Sequence, residues 1–263
     1  MSYPCVRVLG METSRYLTCL QHDAARLRQA AEGHLDLQVP SCPDWKVADL
    51  VQHVAEVYQH KALCIRLREF PRPWPPDFGD EDRIELFDRS LAELLAEFDK
   101  HDPADPAKTW FDADQTVGFW IRRMAQESVI HRVDAELAIG EVTAIPADLA
   151  VDGVDEVLAI FLSWDSQDTI AREGDTRSWP ALADADGRTI EVRAGDHAWS
   201  VRPAPSGVEL SSGGTETPAA TVSGDPVDVL LWLWRRGDAA KLTVDGDPKL
   251  VDGLHELMRI ATQ

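Results

Sequence analysis

Glu127 and His131, in the stretch WIRRMAQESVIHRVDAELAIG from Trp120 to Gly140, stand four residues apart in a segment of helical patterning. Side chains at that spacing leave one face of a helix a turn apart, so a carboxylate and an imidazole can converge on one point. That pairing is metal-ligand chemistry. A third ligand has to come from another helix, and His53 in DWKVADLVQHVAEVYQH is the candidate of suitable type. Two imidazoles and one carboxylate, with the fourth position left to an exchangeable group, are the donor set of a catalytic zinc site, whereas structural sites are closed by four protein ligands rich in cysteine. Zinc, or another divalent ion, is therefore the metal expected.

Each residue also has an ordinary reading. A histidine beside an apolar stripe is most often a hydrogen-bonded core residue. Glu127 shares its stripe with Trp120, Met124, His131 and Asp134, and Arg122, Arg123 or Arg132 would satisfy its carboxylate as well as an ion would. His60 rivals His53 because it lies on the same face. At ~1.5 Å per residue the two are about 10 Å apart along the axis, so only one can serve. Asp134, three residues beyond His131, is placed either to hold the imidazole nitrogen that does not face the metal or to act as a surface charge opposite Arg123 or Arg132.

The elements that must position these groups are legible in the apolar spacing. Steps of three and four predict helices over Ser14–Glu32, from an Asp44 N-cap to Leu67, over Asp82–Lys100 and over Thr116–Ile139 with Gly140 as the stop. Four helices of this kind make an antiparallel bundle, a scaffold in which ligands project from facing helices. The proline-rich stretch EFPRPWPPDFGD is a loop, folding over the mouth of a site or, more commonly, packing Trp74 and Phe78 against the body. VDGVDEVLAIFLSW reads as a fifth helix that completes the bundle or leads out of it. From about Thr169 short β-prone runs follow, TIEVRAG, HAWSVRPA, GVELSS, ATVSG and KLTVDG, as in an antiparallel meander. Asp225-Pro226 and Asp247-Pro248 each open a helix, with Asp as N-cap and Pro at the first position. The expected fold is α plus α+β: an up-down four-helix bundle over residues 12–166 and a smaller α+β domain with an antiparallel sheet over 167–263.

Composition narrows the partners. The formal charge of −20 divides evenly, with 26 acidic and 16 basic residues up to position 150 and 20 and 10 beyond it, so no basic face is set aside for nucleic acid or anionic lipid. No apolar run reaches the ~20 residues of a membrane span and the first ten residues lack the apolar centre of a signal peptide, which places the protein in the cytoplasm. Cys5, Cys19, Cys42 and Cys64 form no Cys-x-x-Cys pair and read as free thiols. The residues before Met11 fit no helical pattern, which makes Met11 a candidate second start and the segment a candidate for disorder.

SCPDWKVADLVQHV, RRMAQESVIHRVDAELAIG and GDPVDVLLWLWRR followed by VDGD, in that order, resemble the mycothiol-dependent maleylpyruvate isomerase family. The likeness runs from about residue 12 to 257. It implies a DinB-like metal-binding bundle followed by the family's C-terminal domain, and carries the metal ligands onto His53, Glu127 and His131. It also implies a substrate-binding arginine at the end of the LWLW-type helix, Arg236 here, although Arg235-Arg236-Gly237-Asp238 departs from the family's Gly-Arg pattern and leaves Arg235 as a rival. Two arginines flanking a helix C-terminus are also favoured by its dipole alone.

The chemistry implied is activation of a thiol. An ordinary thiol has a pKa of ~8.5 and metal coordination shifts it to the thiolate at neutral pH. By the resemblance that thiol is mycothiol, or another low-molecular-weight thiol. As thiolate it would add to a cis double bond conjugated to a carbonyl, allow rotation and leave as the trans isomer forms, or it would attack an electrophile and stay attached. The substrate expected is a small, anionic or electrophilic molecule. The non-enzymatic alternative is a binding module in which the same three ligands brace the bundle around a structural ion.

Overall fold

The structure, a computed structural model, describes residues 10–79 and 81–262. Cys5 and nearly all of the segment expected to be irregular ahead of Met11 lie outside the described residues. The chain divides into two compact units, one spanning Met11–Ala144 and the other beginning at Ile145.

The first unit holds α1 (Thr13–Ala31), α2 (Val47–Leu67), α3 (Arg83–Lys100) and α4 (Val117–Ile139). Helix α4 packs along α1 and α2, and α2 along α3. Most of the predicted stripes are buried, Tyr16, Leu20, Ala24, Leu27 and Ala31 on α1 and Val47, Leu50, Val54 and Tyr58 on α2, while Leu17 and Val57, expected with them, are half-buried. Three boundaries follow the predicted signals, with Asp82 capping α3, Thr116 capping α4, and Gly140 ending α4 in the left-handed conformation at φ 75°. The Asp44 cap is a correction. Helix α2 starts at Val47 because residues 35–46 fold into a turn closed by the bridge Gln38–Lys46. That turn supplies the carbonyls of Leu37 and Leu35 to the first N–H groups of the helix, Val47 and Ala48, at 2.9 Å each. Asp49 reaches back to the Lys46 N–H at 2.8 Å.

Helix α4 is the unusual element. It is buried nearly all round, yet carries Arg123, Gln126, Ser128, Arg132, Asp134 and Glu136 among its buried residues. A helix in that position has to pair every charge it buries. Along one side Arg132 donates to Asp23 on α1 and to Glu136; the other side is the candidate site below.

The second unit opens with α5 (Ala147–Glu156), a π-helical stretch (Val157–Trp164) and α6 (Asp165–Glu173), in continuous succession. The stretch expected either to complete the bundle or to leave it therefore leaves it, and the division falls at residues 144/145 rather than 166/167. The physical reason is that α5 packs on the later helix α7 (Pro226–Leu233). A five-stranded sheet follows, from β1 (Ile190–Ala194), β2 (His197–Ala204), β3 (Gly207–Ser212), β4 (Ala220–Gly224) and β5 (Thr243–Gly246), in the order β3-β2-β1-β4-β5. Each lies on a predicted run. The meander holds for β1, β2 and β3, whereas β4 crosses to the free edge of β1 and pairs with it in parallel, so the sheet is mixed rather than wholly antiparallel. Val192 stands opposite Trp199 and Val222, and Val201 opposite Leu210, which gathers the apolar residues on one face. Asp225 and Asp247 cap α7 and α8 (Pro248–Ala261) as expected. Among the described residues no helix is long and apolar enough to cross a membrane.

Candidate metal centre

Helix α2 delivers His53 and α4 delivers Glu127 and His131 to one place. Each offers a ligand atom, and these atoms lie within 4.8 Å of one another. Glu127 Oε1 is 3.5 Å from His53 Nε2 and 3.3 Å from His131 Nε2. Donors bound at ~2.0–2.1 Å in a tetrahedron are separated by about 3.4 Å, so both spacings suit a zinc-sized ion between them. No fourth histidine, cysteine or carboxylate among the described residues joins the three.

Glu127 divides its work between its two oxygens. Oε2 accepts from Arg123 Nη2, while Oε1 faces the histidines. The ordinary reading, an arginine partner, is met at Oε2, and Arg123 fixes the carboxylate so that the other oxygen points at the imidazoles and is available to an ion. Of the two placements open to Asp134, it takes the one against His131 rather than that of a surface charge. Its Oδ2 lies 2.9 Å from His131 Nδ1, so that in the neutral ring the proton is favoured on Nδ1 and the Nε2 lone pair is left for the site. Asp134 is itself fully buried, and its Oδ1 accepts from Ser41 Oγ at 2.5 Å.

The His53 ring lies 4.9 Å from that of Trp45 and 5.1 Å from that of His131, nearly perpendicular to the latter. His53 is 37% exposed against 12% for Glu127 and 11% for His131, so the site opens to solvent on the His53 side. Ser41 and Trp45 escaped sequence reasoning. Both belong to SCPDWKV, a turn without periodicity, and only the closure of that turn onto the start of α2 brings them to the site.

The rival His60 is elsewhere. Its ring stacks on Phe70 and meets Trp74 edge-on at 4.9 Å. Burial and the neighbouring Lys61 charge push its pKa down to about 4, so it is neutral. The proline-rich loop accordingly packs its aromatic rings on the far end of α2. Arg236 lies just past α7 in the second unit, half-buried, with Nη1 donating to the Trp234 carbonyl at 2.6 Å and its guanidinium 5.8 Å from the Trp234 ring. Arg235 is exposed and takes the left-handed conformation at φ 62°. Of the two arginines, Arg236 is the half-buried one.

Burial works to raise the Glu127 pKa, but the Arg123 and His131 charges and the imidazole hydrogen bonds overcome it and hold the carboxyl well below the usual range. Burial works to lower the His131 pKa, and the Glu127 charge with the Asp134 hydrogen bond prevails, pushing it up to about 9. Without a bound ion the two groups therefore give opposite pH dependences. The His131 contribution is fully present below 6.5 and is lost as pH rises through about 9; the Glu127 contribution is present above 4.5 and is lost as pH falls below that. The chelated protein should be most stable between these limits and lose on the order of 3 kcal/mol by alkaline pH, read as a falling unfolding temperature. Metal binding must expel the His131 proton, so ion affinity should rise with pH over the same interval. A flat affinity from pH 6 to 9 would contradict this. Asp134→Asn is expected to weaken divalent-ion binding by about 10–100-fold in competition with a chromophoric chelator, leaving secondary structure intact.

Residues 17–136 match the family description "Mycothiol maleylpyruvate isomerase N-terminal domain", and residues 148–253 match "MDMPI C-terminal domain". The crystal structure of the mycothiol-dependent maleylpyruvate isomerase is similar in fold, with a TM-score of 0.56 at 15% identity over 89% of this chain and 93% of that one. A histidine-to-alanine variant of the same enzyme matches over the same shares at 14% identity and a TM-score of 0.56. No curated protein matches the chain.

Proposed function

Because the chain belongs to the mycothiol-dependent maleylpyruvate isomerase family, whose two domains it carries in order, we propose that it is a cytoplasmic enzyme that activates a low-molecular-weight thiol, mycothiol first among the candidates, at a divalent ion held by His53, Glu127 and His131. The observation that carries this reading is the convergence of two imidazole nitrogens and one carboxylate oxygen at spacings of 3.3 and 3.5 Å with no fourth protein donor among the described residues. That coordination favours an ion that exchanges a ligand over one that braces the bundle.

A zinc ion bound there would lower the pKa of a thiol from ~8.5 so that the thiolate forms at neutral pH. The rest falls to the chain. Arg123 and Asp134 keep Glu127 and His131 pointed at the ion without adjustment during turnover. Trp45 shields one face of His53. By the family resemblance, Arg236 would bind a carboxylate of a small anionic substrate. The family's description names a maleylpyruvate isomerase, and isomerisation of a cis double bond conjugated to a carbonyl is the reaction proposed first; transfer of the thiol to an electrophile would use the same metal centre.

The test combines spectrum and product. Cobalt-substituted protein should gain a sulfur-to-metal charge-transfer band when mycothiol is added, and maleylpyruvate should then be converted to its trans isomer. A stable thiol adduct in the mass spectrum would assign S-transfer instead. Arg236→Ala should impair turnover of anionic substrates and leave the cobalt spectrum unchanged. A silent thiol titration would turn the assignment towards a structural ion.

A further inference from the structure

The loop after α2 carries a feature that the metal chemistry does not use. Arg68, Glu69, Phe70 and Arg72, joined by Lys108 from the segment before α4, line a cavity of about 380 Å³, within the size range of small-ligand sites. In a chain of net charge −20 most basic side chains are taken up by carboxylates. Arg66 pairs with Glu97, Arg89 with Glu81 and Glu93, and Lys100 with Glu97. Among the described residues Arg68, Arg72 and Lys108 have no such partner, and Glu69 forms no ion pair with any of them. Three cations without an ion-pair partner, against the single carboxylate of Glu69, leave this concavity of an acidic protein net cationic and suited to an anion.

The wall is also built rather than loose. The backbone N–H groups of Arg68 and Lys108 both donate to the Cys64 carbonyl, at 3.1 and 3.4 Å, which ties the two cationic residues to one point at the end of α2. Lys108 Nζ lies 5.2 Å from the Phe70 ring and 3.3 Å from Gln115 Oε1. Phe70 is in turn stacked on His60, which Trp74 covers. The helix dipole alone would favour a basic residue near the end of α2, but it does not account for Lys108, which comes from a different segment.

We propose that this cavity is a second ligand site, taking a small polyanion that also carries hydroxyl groups, either a phosphorylated sugar or a hydroxylated di- or tricarboxylate. The Arg68 and Arg72 forks match phosphate or carboxylate oxygens in pairs, and Lys108 adds a point charge. Glu69 accepts from hydroxyls, and the Phe70 ring lies against the carbon skeleton. Arg68, the residue just past the end of α2, is fifteen residues beyond His53, about 22 Å along the helix axis, so this ligand binds apart from the metal.

Isothermal titration of the full chain with glucose 6-phosphate, citrate and uncharged glucose tests the site. Saturable binding of at least one anion, with none of glucose, is expected, and the tighter of the two identifies the head group. Arg72→Gln and Lys108→Gln should each weaken it about fivefold, while Glu127→Gln leaves it unchanged. Arg72 is exposed, so its substitution leaves folding intact. Failure of both anions to saturate, equal binding of glucose, affinity unchanged from the parent chain in both Arg72→Gln and Lys108→Gln, or loss of binding in Glu127→Gln would each overturn the proposal.

Discussion

Glu127→Gln is expected to yield a folded protein that no longer retains a divalent ion. The amide has the shape of the carboxylate and can still accept from Arg123, so packing in α4 is preserved. What disappears is the negative charge 3.5 Å from His53 Nε2 and 3.3 Å from His131 Nε2. An ion held by two neutral imidazoles and a carbonyl oxygen keeps its full positive charge beside Arg123. Groups that merely orient ligands are worth about 10–100-fold in affinity, so loss of a charged ligand should cost on the order of a hundredfold or more. Metal analysis after dialysis should fall from about one ion per chain to near none, and His53→Ala and His131→Ala should do the same. Retention of full metal by all three variants would refute the assignment. Because His131 owes its raised pKa largely to the Glu127 charge, the alkaline stability loss of the chelated protein should also shrink in Glu127→Gln.

The convergence of His53, Glu127 and His131 was legible because helical spacing is a local property. Glu127 and His131 need only one turn of α4 to meet, and His53 needs only that α2 face it. Asp134 was legible for the same reason. Ser41 and Trp45 were not, since the turn that carries them has no period and its geometry depends on Val47 and Ala48 donating back to Leu37 and Leu35. The same turn hid the true start of α2 behind the strong signal of Asp44. In the second unit the strands followed from β-prone runs between turn residues, but strand order is a non-local choice. Nothing in ATVSG distinguishes a strand that extends a meander from one that crosses to the other edge of β1 and runs parallel. The helix from residue 147 onwards was legible as a helix and ambiguous as to partner, because an apolar face does not say which apolar face it will meet. The cationic cavity is a further case: Arg68 and Arg72 are close in sequence, but Lys108 joins them through tertiary contacts, a hydrogen bond to the end of α2 and its approach to the Phe70 ring.

Arg132→Met should produce the opposite phenotype, a protein that keeps its metal-binding residues and loses much of its stability. Arg132 is fully buried. Its Nε donates to Asp23 Oδ1 at 3.1 Å, and its Nη1 donates to Glu136 Oε2 at 2.7 Å, to the Thr143 carbonyl at 2.7 Å and to Thr143 Oγ1 at 2.8 Å. One guanidinium thereby joins α1, α4 and the segment after α4. Methionine fills much of its volume but leaves two buried carboxylates. Glu136 retains Arg26 and Thr143, whereas Asp23 retains only His22 at 3.4 Å and already has one buried oxygen without a partner. Removing one member of a buried charge network costs about 3–5 kcal/mol, which for a unit of this size lowers the unfolding temperature by roughly 10–20 °C. The pH dependence identifies the cause. Burial raises the Asp23 pKa against the opposing Arg132 charge, so without Arg132 it should rise further. A carboxyl with a raised folded-state pKa stabilises the fold as pH falls through that value, so acid should narrow the gap between variant and parent. Adding Asp23→Leu should recover most of the loss, because replacing a whole buried ion pair with apolar groups is far less costly than orphaning one member. A loss below about 1 kcal/mol, the range of an exposed ion pair, would show that Arg132 is not the charge on which this side of α4 depends.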